Sequence, residues 1–124
     1  RFIFQSEVLF PSGQAVMTPE GLEALNQVAQ AIVEISQDIP SEINWALQVD
    51  GHTDIRPISS SSFPSNWHLS TERAISVVQY LNQQGVPAKR LVAAGYGEFA
   101  PLDSGTSEDA LRKNRRIELK LTNR

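Results

Sequence analysis

The sequence predicts an α+β domain, a two-layer sandwich in which helices pack on one face of a mixed, βαβαβ-type sheet of about four strands. Two segments alternate apolar with polar residues, as strands do in a sheet with one covered and one solvent-facing side. Two longer segments repeat apolar residues every three or four positions, which is typical of amphipathic helices. A length of 124 residues suits one domain spanning residues 1–124.

The first half of the chain predicts a strand, a helix and a second strand. The apolar-rich segment 2–10 is the opening strand, because a Pro-Ser-Gly turn follows it. Thr18 precedes a proline and an acidic residue, so it predicts the N-cap of a helix that ends before Pro40. Residues 44–52 alternate as a half-buried strand does, and Asp54 therefore falls just beyond that strand's carboxyl end.

The second half predicts a long loop, a second amphipathic helix and two more strands around a short helix. Ser70 is the expected N-cap of the second helix, and Gly85 is placed to end it in a left-handed conformation. The predicted elements are a loop over 53–68, a helix over 70–84, a strand over 90–94, a helix over 108–114 and a strand over 116–122. In the last strand we expect Ile117, Leu119 and Leu121 to face the core and Arg116, Glu118 and Lys120 to face solvent.

Composition excludes several classes of function. A net charge of −3 argues against a nucleic-acid module, which normally presents a basic surface. The absence of cysteine excludes disulfides, thiolate zinc sites and a cysteine nucleophile. No apolar run approaches the roughly 20 residues of a membrane span. Because the chain begins at Arg1 rather than methionine, we expect a fragment of a longer protein whose membrane anchor or targeting segment lies upstream.

Asp54 and Arg73 are the strongest candidates for a site. If Ser70 is the N-cap, Arg73 lies in the first helical turn, where the positive end of the helix dipole disfavours a cation. Two interpretations account for an arginine there. It pairs with Asp54 across the loop, or both side chains face outward and bind a ligand that carries a carboxylate and an amine.

Three other functional interpretations have less support in the sequence. His52, Asp54 and His68 would have to assemble a metal site for a hydrolase, although their spacing matches no helical two-histidine motif. Glu72 and Glu98 would have to meet as a carboxylate pair for glycan cleavage, and nothing in the spacing brings them together. The serines at 59–62 are interpreted as a solvated loop rather than as nucleophiles.

A basic cluster near the carboxyl end favours ion pairing over binding of an anionic glycan or lipid. It comprises Arg112, Lys113, Arg115 and Arg116, with Glu108, Asp109 and Glu118 as the expected acidic partners.

Six blocks in order resemble one family. They are Gly51-His52-Thr53-Asp54, Asn66 with Leu69-Ser70, Arg73-Ala74, Gly85-Val86 with Arg90, Gly95-Tyr96-Gly97-Glu98 with Pro101, and Asn114-Arg115-Arg116-Ile117-Glu118. The pattern is similar to the OmpA-like C-terminal domain, the periplasmic peptidoglycan-binding module of OmpA, Pal and MotB. The Pro-Ser-Gly turn, the Thr-Pro-Glu-Gly helix start and Asn66-Trp67 are most similar to MotB-like proteins. The stretch Ile55-Arg56-Pro57 and the polar segment 103–110 depart from the pattern.

The resemblance implies a non-enzymatic domain that binds peptidoglycan and anchors its parent protein, including a flagellar stator, to the cell wall. It implies that Asp54 and Arg73 hold the amine and the carboxylate of diaminopimelate in the peptide stem. Thr53, Asn66, Leu69 and Arg115 match positions around the same groove. The implied location is the periplasm of a Gram-negative envelope, with no metal and no cofactor. The alternatives are a homodimerisation or protein-contact module with weak wall binding and a metal-dependent wall hydrolase.

Overall fold

The structure, a computed structural model, describes residues 1–58 and 62–123. Within these residues four strands and four α-helices follow each other along the chain. They are β1 (Phe2–Gln5), α1 (Ser6–Leu9), α2 (Pro19–Asp38), β2 (Trp45–His52), α3 (Asn66–Gln83), β3 (Leu91–Gly95), α4 (Glu108–Asn114) and β4 (Arg116–Asn123), and a 3-10 turn at Ala88–Arg90 leads into β3. The predicted α+β sandwich is confirmed.

The strands form one mixed sheet in the order β1-β4-β2-β3. β4 runs antiparallel to both of its neighbours, with Phe4 opposite Ile117 and Val49 opposite Leu119. β3 runs parallel to β2. The carboxyl ends of β1 and β2 therefore lie at the same edge as the start of β4, and the chain leaves each strand there into a segment that carries candidate site residues.

Helices α2 and α3 pack on one face of the sheet and close the core. The apolar residues of β2 and β4 that face them are fully or almost fully buried, as are the inward residues of the two helices. This core comprises Leu25, Ala29 and Ile32 of α2, Trp45, Leu47 and Val49 of β2, Ala74, Val77 and Leu81 of α3, Ile117 and Leu119 of β4, and Leu9, Phe10 and Val86 from the connections. At about 25 cal/mol per Å² of apolar surface, burial of such a core is the main stabilising term.

Two glycines let α3 approach the sheet closely at the carboxyl end of β2. A Cβ atom on Gly51 would lie 2.1 Å from the Ser70 carbonyl oxygen, and one on Gly95 would lie 2.0 Å from Thr71 Oγ1. Both distances are far below van der Waals contact, so no larger residue fits without moving the helix. This approach brings the end of β2 and the first turns of α3 together.

Several predicted caps and ends are confirmed, and two are wrong. Thr18 Oγ1 accepts the Gly21 N–H at 2.9 Å, and Gly85 has φ +117° after the end of α3. The opening strand is shorter than expected, since β1 stops at Gln5 and the chain makes a helical turn, α1. Strand-like composition alone did not reveal that break.

The N-cap of α3 is Ser65 rather than Ser70. Ser65 Oγ accepts the His68 N–H at 3.3 Å, and the helix begins at Asn66, one turn earlier than predicted. Ser70 lies inside the helix, where its hydroxyl donates to the Trp67 carbonyl and accepts the Gly97 N–H at 3.0 Å. Arg73 is therefore in the second turn, beyond the region where the helix dipole opposes a cation.

The sheet face opposite the helices is not the solvated face that the alternation predicted. Arg116 and Glu118 are buried and joined at 2.5 Å between Nε and Oε2. The His52 ring stacks on Tyr96 with centroids 4.8 Å apart, so the segment after β3 covers this side. Leu121, predicted to face the core, is 52% exposed near the end of β4.

None of the helices in residues 1–58 and 62–123 is long and apolar enough to cross a membrane. Of the serines interpreted as a solvated loop, Ser62 is exposed, and Ser59, Ser60 and Ser61 lie outside the described residues.

Candidate ligand-binding site

A pocket of about 420 Å³ opens to solvent where β1 and β2 end, β4 begins and α3 starts. The turn after α1 and the loop after β2 form its remaining walls. All six residues named from the sequence line this pocket: Thr53, Asp54, Asn66, Leu69, Arg73 and Arg115. The structure thus brings together residues that are up to 62 positions apart in the chain.

Asp54 is buried, and its carboxylate already accepts four hydrogen bonds. Arg56 supplies three of them, from its backbone N–H at 2.8 Å to Oδ1 and from Nε and Nη2 at 3.2 and 2.9 Å to Oδ2. Arg115 Nη1 supplies the fourth, at 2.7 Å to Oδ2. Burial would raise the pKa of Asp54, but the hydrogen bonds from Arg56 and Arg115 outweigh it and hold the pKa below its ordinary value. Asp54 is therefore an anion at neutral pH.

Arg73 is equally buried but binds no carboxylate within the described residues. Its Nε donates to the Gln14 carbonyl at 2.7 Å, and its Nη2 donates to the Pro11 carbonyl at 3.2 Å. The guanidinium carbon lies 5.1 Å from the centre of the Phe10 ring. Burial lowers the pKa of Arg73 to about 10, so it remains a cation at neutral pH. The expected direct ion pair between Arg73 and Asp54 does not form.

The other predicted residues hold the walls in place. Thr53 Oγ1 donates to the Asp54 carbonyl at 2.9 Å, and Asn66 Nδ2 donates to the Arg56 carbonyl at 3.1 Å. Leu69 is 6% exposed and gives the pocket an apolar wall. Arg115 bridges Asp54, Glu7 and Glu108, and although burial acts to lower its pKa, hydrogen bonds to Asp54 and Glu7 raise it.

Three further pocket residues were missed from the sequence. Arg56 neutralises Asp54 from two positions away, and Glu7 holds Arg115 from the far end of the chain. Ser6 is 2% exposed, and its Oγ has no hydrogen-bond partner among the described residues. The departure of Ile55-Arg56-Pro57 from the family pattern was the available signal for Arg56. Ser6 and Glu7 were hidden because they were interpreted as part of a strand.

The structure does not assemble the two catalytic alternatives. Within residues 1–58 and 62–123, the trio that lies close enough for a metal ion is Asp50, His52 and Glu118, on the opposite face of the sheet from α2 and α3. Asp54 lies in the pocket instead, and His68 Nδ1 is 2.7 Å from Ser65 Oγ.

Neither carboxylate of the proposed catalytic pair lines the pocket. Glu98 is 3.4 Å from Asn66 Nδ2, and Glu72 is exposed on α3.

Three members of the basic cluster near the carboxyl end pair with acidic neighbours, as expected. Arg112 pairs with Asp109 at 2.7 Å and Arg116 with Glu118 at 2.5 Å. Arg115 reaches Glu108 at 3.3 Å. In this cluster Arg115 is the member that also reaches the pocket.

Comparison with known proteins identifies the family. The family model described as the OmpA family matches residues 9–115, most of the chain. The chain belongs to the OmpA family. The matched span runs from the end of α1 to the residue before β4 and so contains all six predicted pocket residues together with Arg56.

OmpA-family relatives in Bacillus subtilis (strain 168) are similar over nearly the whole chain. The protein named YtxE is 37% identical over 118 residues, which are 94% of this chain and 46% of that protein. Motility protein B is 34% identical over 116 residues, 93% of this chain and 42% of that protein. The chain thus spans about half the length of the curated relatives it matches.

Three solved structures share the fold. A MotB-like protein from Desulfovibrio vulgaris superposes with a TM-score of 0.87 at 28% identity, covering 98% of this chain and 72% of that one. The cell wall anchor of the T6SS from Pseudomonas aeruginosa gives 0.83 at 29%, covering 98% and 78%. The peptidoglycan-associated lipoprotein from Burkholderia pseudomallei gives 0.70 at 25%, covering 93% and 88%.

Proposed function

We propose that this domain is a non-enzymatic module that binds peptidoglycan through the diaminopimelate of the peptide stem and thereby anchors its parent protein to the cell wall. The observation that carries the proposal is Arg73, a buried cation that faces an open pocket and whose hydrogen bonds in the described chain go to carbonyls rather than to a carboxylate. A buried charge is costly unless it is paired, so a ligand carboxylate is the natural partner for this guanidinium.

The pocket also offers an anion to the positively charged end of a zwitterionic ligand. Asp54 is ionised, buried and part of the same pocket, so it can accept the ammonium of a diamino acid. The side-chain terminus of diaminopimelate presents a carboxylate and an amine on one carbon. Ser6 Oγ offers a further hydrogen bond, since nothing in the described chain engages it.

Two solved relatives support the wall as the partner. One is named a cell wall anchor and another a peptidoglycan-associated lipoprotein, and both match more than nine-tenths of this chain. The proposed place of action is therefore the wall-facing side of the envelope, the periplasm in a Gram-negative cell.

The expected affinity of one site is modest. Two charge-assisted contacts at about 1.5–3 kcal/mol each sum to about 3–6 kcal/mol, which corresponds to a Kd between roughly 6 mM and roughly 0.04 mM. Firm attachment then requires several copies acting together on a repetitive polymer.

Co-sedimentation with purified sacculi tests the proposal through Arg73→Lys. Lysine keeps the charge but loses the planar fork that binds a carboxylate and two carbonyls together, so we expect the bound fraction to fall at least tenfold. Arg90→Lys is the matched control, because Arg90 also donates to a carbonyl, that of Trp45 at 3.0 Å, and stacks on the Trp45 ring at 5.0 Å, away from the pocket.

A second pair of matched variants tests the role of the Asp54 carboxylate. Asp54→Asn should abolish sedimentation, whereas Asp50→Asn should not, although Asp50 is an equally buried aspartate that pairs with Lys120 at 3.0 Å on the other face of the sheet. Retention of binding by folded Arg73→Lys and Asp54→Asn proteins would refute the proposed site. Melting temperatures measured alongside identify any variant that has unfolded.

A further inference from the structure

Resting on the proposed function, we infer that Arg56 occupies the ammonium subsite of the ligand-free pocket and that the ligand's amine must displace its side chain. Arg56 would then be a specificity-determining residue. Its guanidinium would compete with the ligand's amine for the Asp54 carboxylate.

Oδ2 of Asp54 has no free capacity for a further donor. A carboxylate oxygen offers about two lone-pair positions, and three side-chain donors already converge on Oδ2, namely Nε and Nη2 of Arg56 and Nη1 of Arg115. Oδ1 accepts the backbone N–H of Arg56. A ligand ammonium can therefore bind Asp54 at Oδ2 only by replacing a side-chain donor.

Of the two arginines bound to Asp54, Arg56 is the donor able to leave. Its side chain is 55% exposed, whereas that of Arg115 is 20% exposed and is also held by Glu7 and Glu108. An exposed guanidinium regains water when it moves, so its departure costs little.

Only the Arg56 side chain has to move. The backbone N–H of Arg56 bonds to Asp54 Oδ1 at 2.8 Å, and the Arg56 carbonyl accepts from Asn66 at 3.1 Å. Arg56 also already pairs with a second carboxylate, because its Nη1 lies 3.7 Å from Glu108 Oε2. The guanidinium can thus leave Asp54 and keep Glu108 as its partner while the loop keeps its shape.

Charge makes the exchange selective. The pocket walls carry three arginines and two carboxylates, and Arg73 is the cation that has no carboxylate partner in the described chain. A ligand with an amine alone would have to displace Arg56 with no gain at Arg73. A ligand with both groups gains the Arg73 contact as it displaces Arg56, so Arg56 would favour diaminopimelate over a lysine-type stem.

Titration calorimetry with two synthetic stem peptides tests this inference. One is the tripeptide ending in diaminopimelate, and the other is the same tripeptide with the terminal amine replaced by hydrogen. Arg56→Gln retains the backbone contact and removes the competing cation. We expect it to bind the amine-bearing tripeptide about threefold to tenfold more tightly than the wild type, and the amine-free one with less than a twofold change.

Arg112→Gln is the matched control, because it removes the same charge from a partly exposed arginine that pairs with Asp109 outside the pocket. It should leave both affinities unchanged. If the wild type binds and Arg56→Gln binds the amine-bearing tripeptide equally or more weakly, Arg56 is a ligand-binding or passive residue and this inference fails alone. If neither the wild type nor Arg56→Gln binds either tripeptide, the proposed function fails and the inference fails with it.

Discussion

Among the described residues, buried charged side chains gather in two places, the pocket at the carboxyl ends of β1 and β2 and the sheet face opposite the helices. The second group, here called the back-face cluster, comprises the buried Asp50, His52, Arg116 and Glu118 and the partly exposed Lys120. Each of its carboxylates has its own cation, at 3.0 Å for Asp50 and Lys120 and 2.5 Å for Glu118 and Arg116. The pocket has the same kinds of side chain but leaves Arg73 with carbonyl partners and open space.

On the proposed function, this difference separates a structural cluster from a ligand-binding one. Burying a charge is costly, and a protein offsets that cost with an internal partner unless an external one is available. In the back-face cluster each carboxylate is paired with a cation, although His52 Nδ1 is buried without a hydrogen-bond partner in the described chain. In the pocket, Arg73 has no carboxylate partner among the described residues. Buried charge alone would have pointed equally to both places, whereas the unmatched cation next to a cavity points to one.

Glu118→Gln gives the largest expected effect, because it removes the anion from the buried ion pair between Glu118 and Arg116. It leaves Arg116 buried against the carbonyls of Ala100 and Asn114, so we expect the free energy of unfolding to fall by about 3 kcal/mol in urea titrations. Sacculus binding below the unfolding transition should be unchanged. A loss of less than about 1 kcal/mol, or a loss of binding by the folded variant, would contradict the assignment of this cluster to structure.

His52 gives an intermediate effect that depends on pH. Burial, and then the nearby Arg116, lower the pKa of His52 from 6.5 to about 4. Between these values the unfolded chain takes up a proton that the folded chain does not, so stability is present above pH 6.5 and is lost as the pH falls towards 4. From pH 8 to 4.5 the wild type should lose about 2–3 kcal/mol more than His52→Gln. Parallel stability curves for the two proteins would show that His52 is not held neutral.

Ser6→Ala gives the smallest effect and acts on the pocket. The Ser6 hydroxyl has no partner in the described chain, so removing it should change the free energy of unfolding by less than about 0.5 kcal/mol. Loss of one neutral hydrogen bond should weaken sacculus or tripeptide binding about threefold to tenfold. Undiminished binding would remove Ser6 from the proposed site, and a stability loss above about 1 kcal/mol would reveal an internal partner.

Much of the fold followed from local pattern in the sequence. The period-two alternation located β2 and put Asp54 just past its end, and Thr18 and Gly85 marked helix ends through their own side chain or backbone conformation. These features depend on neighbours within a few positions. Arg73 was also predicted as a site residue. The reasoning from an N-cap at Ser70 was wrong, but the family pattern indicated Arg73 independently.

The features that the sequence did not predict depend on contacts between residues that are distant in the chain. Ser65 and Ser70 both precede helix-compatible residues, and the choice between them is made by Gly97, which bonds Ser70 from 27 positions away. Alternation showed which side of β4 faces the helices but not that Tyr96 and its neighbours cover the other side. The contact between Arg115 and Asp54 joins residues 61 positions apart, so no local pattern could predict this donor to the Asp54 carboxylate.

The direction of β1 has a mechanical consequence. It runs parallel to β2 towards the pocket and leads directly into Ser6 and Glu7 in the pocket wall, with its backbone bonded to β4 over four residue pairs from Phe2 to Gln5. Tension between the amino end of β1 and a ligand in the pocket would act along the strand, across hydrogen bonds that lie perpendicular to it. Those bonds would resist in shear and have to break together, whereas a pull across the strand would open them one after another.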